Sequence, residues 1–151
     1  MDLILWRHAE AEPGEPDLGR RLTAKGIQQA ERMAEWLDRH LPATTRILSS
    51  PADRAQQTAQ ALKRKFKVVD DLVPGATVSA VLDAAGWPDA REAVLVVGHQ
   101  PTLGQAAAWL LSGEAVEWGI KKGAIWWLTN RARGERSAAT VLRAAISPDL
   151  L

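Results

Sequence analysis

The stretch Val94-Leu95-Val96-Val97-Gly98-His99 is a short aliphatic run that ends at a glycine and a histidine. Four consecutive apolar residues of this kind are typical of a strand buried on both faces, as in a parallel sheet covered by helices. Ligands of open α/β sheets bind outside the carboxyl ends of the strands. The position of His99 directly after the run therefore makes it a candidate site residue.

Similar runs occur earlier in the chain and alternate with helical patterns. Leu3-Ile4-Leu5-Trp6, Arg46-Ile47-Leu48 and Lys67-Val68-Val69 are predicted strands. Apolar residues recur at helical spacing between and after the strands, which predicts helices over residues 24–41, 51–65, 78–85 and 101–111. This alternation favours a mostly parallel sheet with helices on both faces.

Helix start signals refine two of these predictions. Ser50-Pro51-Ala52-Asp53 offers a serine at the N-cap, a proline at the first helical position and a carboxylate two residues later, so the second helix is predicted to begin at Pro51 and to run to about Lys65. Pro101 is likewise expected in the first turn of the last helix.

The last third of the chain has a different pattern. Residues 124–128 and 140–142 are strand-like and are separated by a polar segment, which predicts an antiparallel hairpin at one edge of the sheet. The fold class that follows is α/β: a three-layer sandwich with a mostly parallel sheet and a C-terminal antiparallel hairpin. Residues 1–151 are expected to form a single domain.

Composition excludes several kinds of chemistry. The 151 residues include no cysteine and three histidines, so thiolate nucleophiles, disulfides and cysteine-ligated metal sites are excluded. A net charge of +1 does not favour a nucleic-acid partner.

The apolar run at residues 3–6 is too short for a signal peptide or a membrane span. A cytoplasmic protein with no membrane association is the simplest expectation.

Basic side chains follow three of the predicted strands. Arg7 and His8 follow the first strand, Arg54 comes four residues after Ser50, and His99 follows the strand at 94–97. Arg54 falls in the first turn of its predicted helix, where a cation opposes the helix dipole. That placement is understandable if an anion binds at the same point. The sequence therefore predicts an anion site at the carboxyl edge of the sheet.

Four motifs occur in order within residues 1–112: Arg7-His8-Ala9-Glu10, Arg21-Leu22-Thr23-x-x-Gly26, Ser50-Pro51-x-x-Arg54-Ala55-x-x-Thr58 and Val97-Gly98-His99-Gln100-Pro101. Together they resemble the histidine phosphatase superfamily, and the short chain resembles its SixA-type phosphohistidine phosphatases. Ala9 stands where the family usually has glycine. Because alanine is the smallest alternative, tighter packing is expected there rather than lost activity.

The resemblance implies a role for each basic residue. His8 would be the nucleophile and would carry a phosphohistidine intermediate that water hydrolyses. Arg7, Arg54 and His99 would surround the phosphoryl oxygens, and Arg21 would complete the cage from the loop before the first helix. Clustered guanidinium groups stabilise phosphoryl charge without a metal, so neither a metal nor another cofactor is expected. The implied partner is a phosphorylated protein of the histidine phosphotransfer type or a small phosphorylated molecule, and the protein is expected to be a monomer.

Leaving-group chemistry favours phosphohistidine. An alkoxide leaves poorly unless an acid protonates it, and only residues 70–93 lie between the strands ending at Val69 and beginning at Val94, too few for an insertion that carries such an acid. Imidazole, with a pKa of about 6.5, is a better leaving group. The first loop still offers four candidate acids: Glu10, Glu12, Glu15 and Asp17.

Two alternative functions stay open, namely a phosphomonoesterase or phosphomutase of the same superfamily and a non-catalytic phosphate-binding module. Two other polar residues are predicted to be structural. His40 lies at the end of the first helix, where a cation complements the helix dipole, and Thr58 lies one turn beyond Arg54.

Overall fold

The computed structural model describes residues 1–130 and 139–151. Six strands are found within these residues: β1 (Asp2–Arg7), β2 (Arg46–Ser49), β3 (Lys67–Val68), β4 (Val94–Gly98), β5 (Ile125–Asn130) and β6 (Thr140–Ile146). The helices are α1 (Ala24–His40), α2 (Asp53–Gln60), α3 (Val78–Ala85) and α4 (Thr102–Ser112). Short 3₁₀ turns lie at Asp17–Gly19, Asp70–Leu72 and Pro148–Leu150.

The strands form one sheet in the order β3-β2-β4-β1-β5-β6. β1, β4, β2 and β3 run parallel, whereas β5 is antiparallel to both β1 and β6. This confirms the predicted sheet with its C-terminal hairpin. β6 is longer than predicted, because its pairing with β5 continues to Ile146 opposite Ile125. The polar segment predicted between these strands falls mainly on residues 131–138, outside the described residues.

Each face of the sheet buries its own core. Ile4 and Trp6 point towards α1 and α2, where they pack with Met33 and Leu37, among others. The alternate residues of β1 pack with α3 and α4 in a second cluster that includes Leu3, Leu5, Val81, Leu103 and Ala107. The three predicted layers are therefore present. No helix in the described ranges combines the length and apolar character needed to cross a membrane.

The start of α2 differs from its prediction. The helix begins at Asp53, its N-cap is Ala52, and it ends at Gln60 rather than near Lys65. Ser50 lies two residues before the N-cap and does not cap the helix, and its hydroxyl lies 2.7 Å from His99 Nε2. The last helix begins one residue later than predicted, since α4 starts at Thr102 and Pro101 is its N-cap. The helix predicted over residues 24–41 is confirmed, since α1 spans Ala24–His40. The Thr23 hydroxyl caps it by accepting a hydrogen bond from Gly26 N at 2.9 Å.

Gly26 allows α1 to approach the loop that follows β1. A Cβ atom at this position would lie 2.0 Å from the carbonyl oxygen of Glu10, a backbone atom that cannot move without displacing the loop. Thr23 N donates to the same carbonyl at 3.0 Å. The backbone of Glu10 therefore packs against the first turn of α1, and only a glycine at position 26 permits this contact.

Replacing Gly26 with alanine should destabilise the protein markedly. Overpacking of this severity costs about 3 kcal/mol, which corresponds to a Tm about 10 °C lower for a chain of this size. Thermal unfolding followed by circular dichroism measures the shift. Gly19→Ala is the matched control, because its Cβ would meet only Pro16 Cγ at 3.5 Å, an ordinary contact. Equal Tm values for the two variants would show that there is room for a side chain between position 26 and the carbonyl oxygen of Glu10.

Candidate active site

The carboxyl ends of β1, β2 and β4 bring together four of the predicted site residues. Arg7 lies opposite Gly98 in the pairing of β1 with β4, and His8 N donates to Gly98 O at 3.1 Å. The next residues of the two strands, His8 and His99, have ring centroids 5.0 Å apart. Arg54 lies in the first turn of α2, as predicted, and its charge acts on both rings. All four residues thus form one basic cluster.

The tautomer of His8 is determined by its neighbour. The Nδ1 atom lies 2.7 Å from the carbonyl oxygen of Ala9. A carbonyl oxygen can only accept, so Nδ1 carries the proton and the neutral ring has its lone pair at Nε2. His8 thereby has an unprotonated nitrogen available to an electrophile.

The surroundings of His8 also keep it neutral. Burial is the main reason that its pKa falls to about 4, and the positive charges of Arg54 and Arg7 lower the pKa further. The hydrogen bond to Ala9 acts in the opposite direction but is outweighed. At neutral pH the imidazole is therefore uncharged, which is the form that a nucleophile needs.

A pH titration should make this visible. Because the pKa of His8 is lowered to about 4 and that of His99 to about 3, chiefly by burial, neither ring should take up a proton between pH 8 and pH 5.5. The carbon-bound ring protons, followed by NMR, should keep their shifts over this range in the folded protein. In urea the same rings should titrate near the unperturbed value of about 6.5. A folded-state midpoint near 6.5 for His8 would contradict the assignment of a neutral, buried ring.

His99 is held by Ser50. Its Nε2 lies 2.7 Å from the Ser50 hydroxyl, which also accepts a hydrogen bond from Ala52 N at 3.2 Å. The other ring nitrogen, Nδ1, is buried without a partner. Ser50 was predicted as a helix cap, so its contact with His99 is a feature that the sequence pattern did not reveal.

The two arginines have different anchors. Arg7 Nη1 donates to Ile120 O at 2.8 Å, which ties β1 to the loop before β5. Arg54 is 4% exposed and donates from Nη1 to Asp17 O at 2.7 Å and from Nη2 to Asp17 Oδ2 at 3.1 Å. The Asp17 carboxylate also accepts from Arg20 Nη1 at 3.1 Å. Asp17 therefore bridges two guanidinium groups.

Unsatisfied polar atoms are concentrated in this cluster. Four buried side-chain nitrogens lack a hydrogen-bond partner among the described residues, and three of them belong to site residues: Arg7 Nε, Arg54 Nε and His99 Nδ1. Buried polar groups normally have partners, so such a concentration needs an explanation. An oxyanion, which offers several acceptor oxygens, is a ligand that these groups would suit.

Arg21, which the resemblance implied for the phosphate cage, does not contact the cluster in this structure. Its side chain is exposed, and within the described ranges it has no hydrogen bond or ion pair with the site residues. Arg20 lies closer to the cluster: its Nη1 donates to Asp17 Oδ1 at 3.1 Å, and its charge is among those that lower the pKa of His8. Adjacent residues of an extended segment point to opposite sides, so choosing one of two neighbouring arginines required the loop geometry.

Only one of the four candidate acids is at the cluster. Asp17 contacts Arg54, whereas Glu10 Oε2 accepts from the Thr23 hydroxyl at 2.8 Å. Glu12 and Glu15 have no side-chain ion pair within the part of the chain that the structure describes. Hydrogen bonds from Arg20 and then Arg54 are the main causes that lower the pKa of Asp17. Asp17 is accordingly a carboxylate at neutral pH.

Thr58 connects the nucleophile loop to the arginine helix. Its hydroxyl donates to Arg54 O at 2.7 Å and accepts from Ala9 N at 3.1 Å. This agrees with the structural role predicted for Thr58, but it also ties the loop of His8 to the helix of Arg54. Ala9 itself is fully buried beside Leu22 and Ala30.

His40 lies far from this chemistry. It ends α1, its Nδ1 lies 2.7 Å from Trp36 O, and its ring stacks on that of Trp36 with centroids 4.2 Å apart. The structural role predicted for His40 is consistent with these contacts. Among residues 1–130 and 139–151, no group of three or more histidine, aspartate or glutamate side chains is arranged to hold a metal ion.

A neutral histidine beside one buried and one partly buried arginine at the carboxyl edge of a parallel sheet suits phosphoryl chemistry. Comparison with known proteins agrees. The profile of the histidine phosphatase superfamily (branch 1) matches residues 3–75, which include His8 and Arg54. The SixA homolog of Haemophilus influenzae, a phosphohistidine phosphatase, is 32% identical over 124 residues, which cover 72% of this chain and 76% of that protein.

SixA is also similar in a second sequence comparison and in a comparison of structures. Phosphohistidine phosphatase SixA of Escherichia coli is 32% identical over 124 residues, 76% of each chain. A structure of the protein histidine phosphatase SixA complexed with tungstate superimposes with a TM-score of 0.80 at 27% identity and covers 99% of both chains. The chain therefore belongs to the SixA-like members of the histidine phosphatase superfamily, and it is a hydrolase that acts on phosphoryl groups.

Proposed function

We propose that this phosphatase removes phosphate from phosphohistidine on a protein, without a metal, through a phosphoryl intermediate on His8. The observation that carries the proposal is the neutral His8 ring, whose Nε2 lone pair is free because Nδ1 donates to Ala9 O. The relatives named as phosphohistidine phosphatases support the substrate class.

In the first step His8 Nε2 attacks phosphorus in line with the scissile bond. A new P–N bond forms to His8 as the P–N bond of the substrate breaks, and the departing imidazole receives a proton from solvent. In the second step a water oxygen attacks the same phosphorus and gives its protons to solvent and to the product. The P–N bond to His8 breaks, inorganic phosphate is released, and the neutral His8 ring is regenerated.

The basic cluster stabilises the charge on the transferring group. Arg7, Arg54 and His99 would donate to the equatorial oxygens, and their unsatisfied nitrogens would then have acceptors. Arg20 is the arginine of the first loop that we assign to the site in place of Arg21. Tungstate is a tetrahedral oxyanion, so its presence in a SixA structure is consistent with such a cage.

The state of Asp17 supports a phosphoramidate substrate. Because Arg20 and Arg54 lower the pKa of Asp17, it holds no proton to give at neutral pH in this arrangement. Imidazole, with a pKa of about 6.5, needs less assistance on leaving than an alkoxide does. A site without a protonated acid thus suits phosphohistidine better than a phosphate ester.

Asp17 also competes with phosphate for Arg54. Asp17→Asn should tighten binding of inorganic phosphate by about fivefold, because it removes a negative charge from a site that must accept a dianion. For phosphohistidine we expect little change in kcat. The inhibition constant for phosphate, measured at constant ionic strength, gives the comparison. A fall in kcat of about a hundredfold would instead indicate that Asp17 is a general acid.

The proposed function is tested by comparing substrate classes. Purified protein is incubated with a protein bearing phosphohistidine and, separately, with serine and sugar phosphate esters, each with and without a chelator. The expected result is a kcat/KM at least about a hundredfold higher for phosphohistidine, unchanged by the chelator. A preference for the esters would favour the phosphomonoesterase alternative, and loss of activity with the chelator would contradict a metal-free cage.

A further inference from the structure

A basic groove opens beside Arg7. It has a volume of about 500 Å³, and its charged lining residues are Arg7, Lys25, Arg32, Lys121, Lys122 and Asp149. Five of the nineteen basic side chains of this nearly neutral protein therefore share one groove with one of its eighteen acidic side chains. The charge balance of the chain as a whole conceals this local excess of positive charge.

The cations of the basic groove are largely uncompensated. Within the described ranges, Lys25, Arg32 and Lys122 are exposed and have no ion pair. Lys121 lies 3.9 Å from Asp149, but both side chains are more than half exposed, so this pair is weak. Like charges gathered without partners repel each other and attract anions.

The groove is held next to the phosphate site. The loop that carries Lys121 and Lys122 is tied to β1 on both sides: Arg7 Nη1 donates to Ile120 O at 2.8 Å, and Gly123 N donates to Arg7 O at 3.1 Å. The two lysines between these anchors therefore lie at the edge of the site that holds His8. An anion in the groove would be close to the transferred phosphoryl group.

The span of the groove indicates the size of its ligand. Lys25 and Arg32 are seven residues apart on α1, so they lie on one face about 10 Å apart along the helix axis. This separation exceeds the reach of a single phosphate group. Lysine has a long, flexible side chain that ends in a single charged group. Several exposed lysines can therefore pair with separate carboxylates on a protein surface more readily than with one planar, bidentate anion.

We propose that the basic groove docks acidic side chains on the surface of the phosphorylated protein, next to the phosphohistidine that His8 attacks. This inference rests on the proposed function, and it specifies that the surface of the protein substrate is acidic near the phosphohistidine. Docking of this kind mainly changes the rate at which enzyme and protein substrate associate, and therefore KM. It has little effect on kcat, since charge complementarity acts on association and not on the chemical step.

Charge reversal tests the groove. The double variant Lys121→Glu/Lys122→Glu is compared with wild type on two substrates, a phosphohistidine-bearing protein with an acidic surface around that residue and the free amino acid phosphohistidine. For the protein substrate we expect KM to rise about tenfold with kcat nearly unchanged. For free phosphohistidine both constants should stay within about twofold of wild type. The wild-type KM for the protein should also rise as ionic strength increases above about 0.1 M.

The matched control is Lys65→Glu/Lys67→Glu, which reverses two exposed lysines at the β3 edge of the sheet, remote from β5. It should leave the KM of the protein substrate unchanged. Equal KM increases for both double variants, no increase for either, or an equal loss with free phosphohistidine would each overturn the docking role. Failure of wild type to hydrolyse either phosphohistidine substrate would instead overturn the proposed function, and the docking inference with it.

Discussion

His8→Ala is expected to lower kcat for phosphohistidine by about 10⁴-fold or more, because the variant lacks the atom that forms the new bond to phosphorus. His40 cannot replace it, since it ends α1 and its Nδ1 lies 2.7 Å from Trp36 O. In our proposal His99 donates to the phosphoryl oxygens and does not attack phosphorus. Single-turnover release of phosphate, measured with enzyme in excess, checks the loss in the chemical step.

The matched control for this variant is His40→Ala. It removes the same side chain from the exposed end of α1, and it should keep the wild-type kcat. His8→Ala should also retain its affinity for inorganic phosphate, since Arg7, Arg54 and His99 are still present. Substantial turnover by folded His8→Ala would rule out His8 as the nucleophile.

The second large effect is expected for Arg54. Arg54→Ala should lower kcat/KM by about 10³-fold, a loss comparable to the removal of an arginine that stabilises a transferring phosphoryl group elsewhere. Arg54→Lys should recover only part of the activity, because lysine keeps the charge but cannot present two parallel donors. Steady-state kinetics with phosphohistidine distinguishes the two variants.

Arg54 is buried, so its replacement also affects folding. The Tm of each variant must therefore be measured, and the kinetics are read only at temperatures where the protein is folded. Arg39→Ala is the control, because Arg39 is exposed on α1 and pairs with Glu35 at 3.7 Å. If Arg54→Ala and Arg39→Ala had the same kcat/KM, Arg54 would have no part in binding phosphate.

The sequence was most informative where physical periodicity is strong. The run at 94–97 predicted β4 because a strand covered by helices on both faces must be apolar at every position. Once the parallel strands were predicted, His8 and His99 were expected at the same edge of the sheet, since the carboxyl ends of parallel strands lie there. The order of the strands was not predicted, and only the structure shows that β1 and β4 are neighbours, which places the two rings 5.0 Å apart.

The loop at residues 11–20 was not predictable in the same way. It has no helical or strand periodicity, so neither the position of Asp17 on Arg54 nor the choice of Arg20 over Arg21 could be inferred from spacing. Ser50 shows a related difficulty, because a serine before a proline fits a helix cap as well as it fits a partner for His99. In each case a tertiary contact outweighs the local preference.

The basic groove was hidden for a different reason. Its lysines and arginines come from the end of β1, from α1 and from the loop before β5, which are far apart in the chain. The net charge of +1 averages them with acidic residues elsewhere. Counting charges along the sequence cannot recover which of them share a surface. That information depends on how the loop of Lys121 and Lys122 is tied to β1.

Trapping the phosphorylated enzyme shows whether His8 carries the phosphoryl group during turnover. Enzyme is mixed with a protein carrying ³²P-labelled phosphohistidine, quenched rapidly in base, digested and analysed by mass spectrometry. We expect a base-stable, acid-labile phosphoryl group on His8 that appears and decays at rates consistent with phosphate release. Phosphate release with no label on His8, or with the label on another residue, would rule out a phosphoryl intermediate on His8.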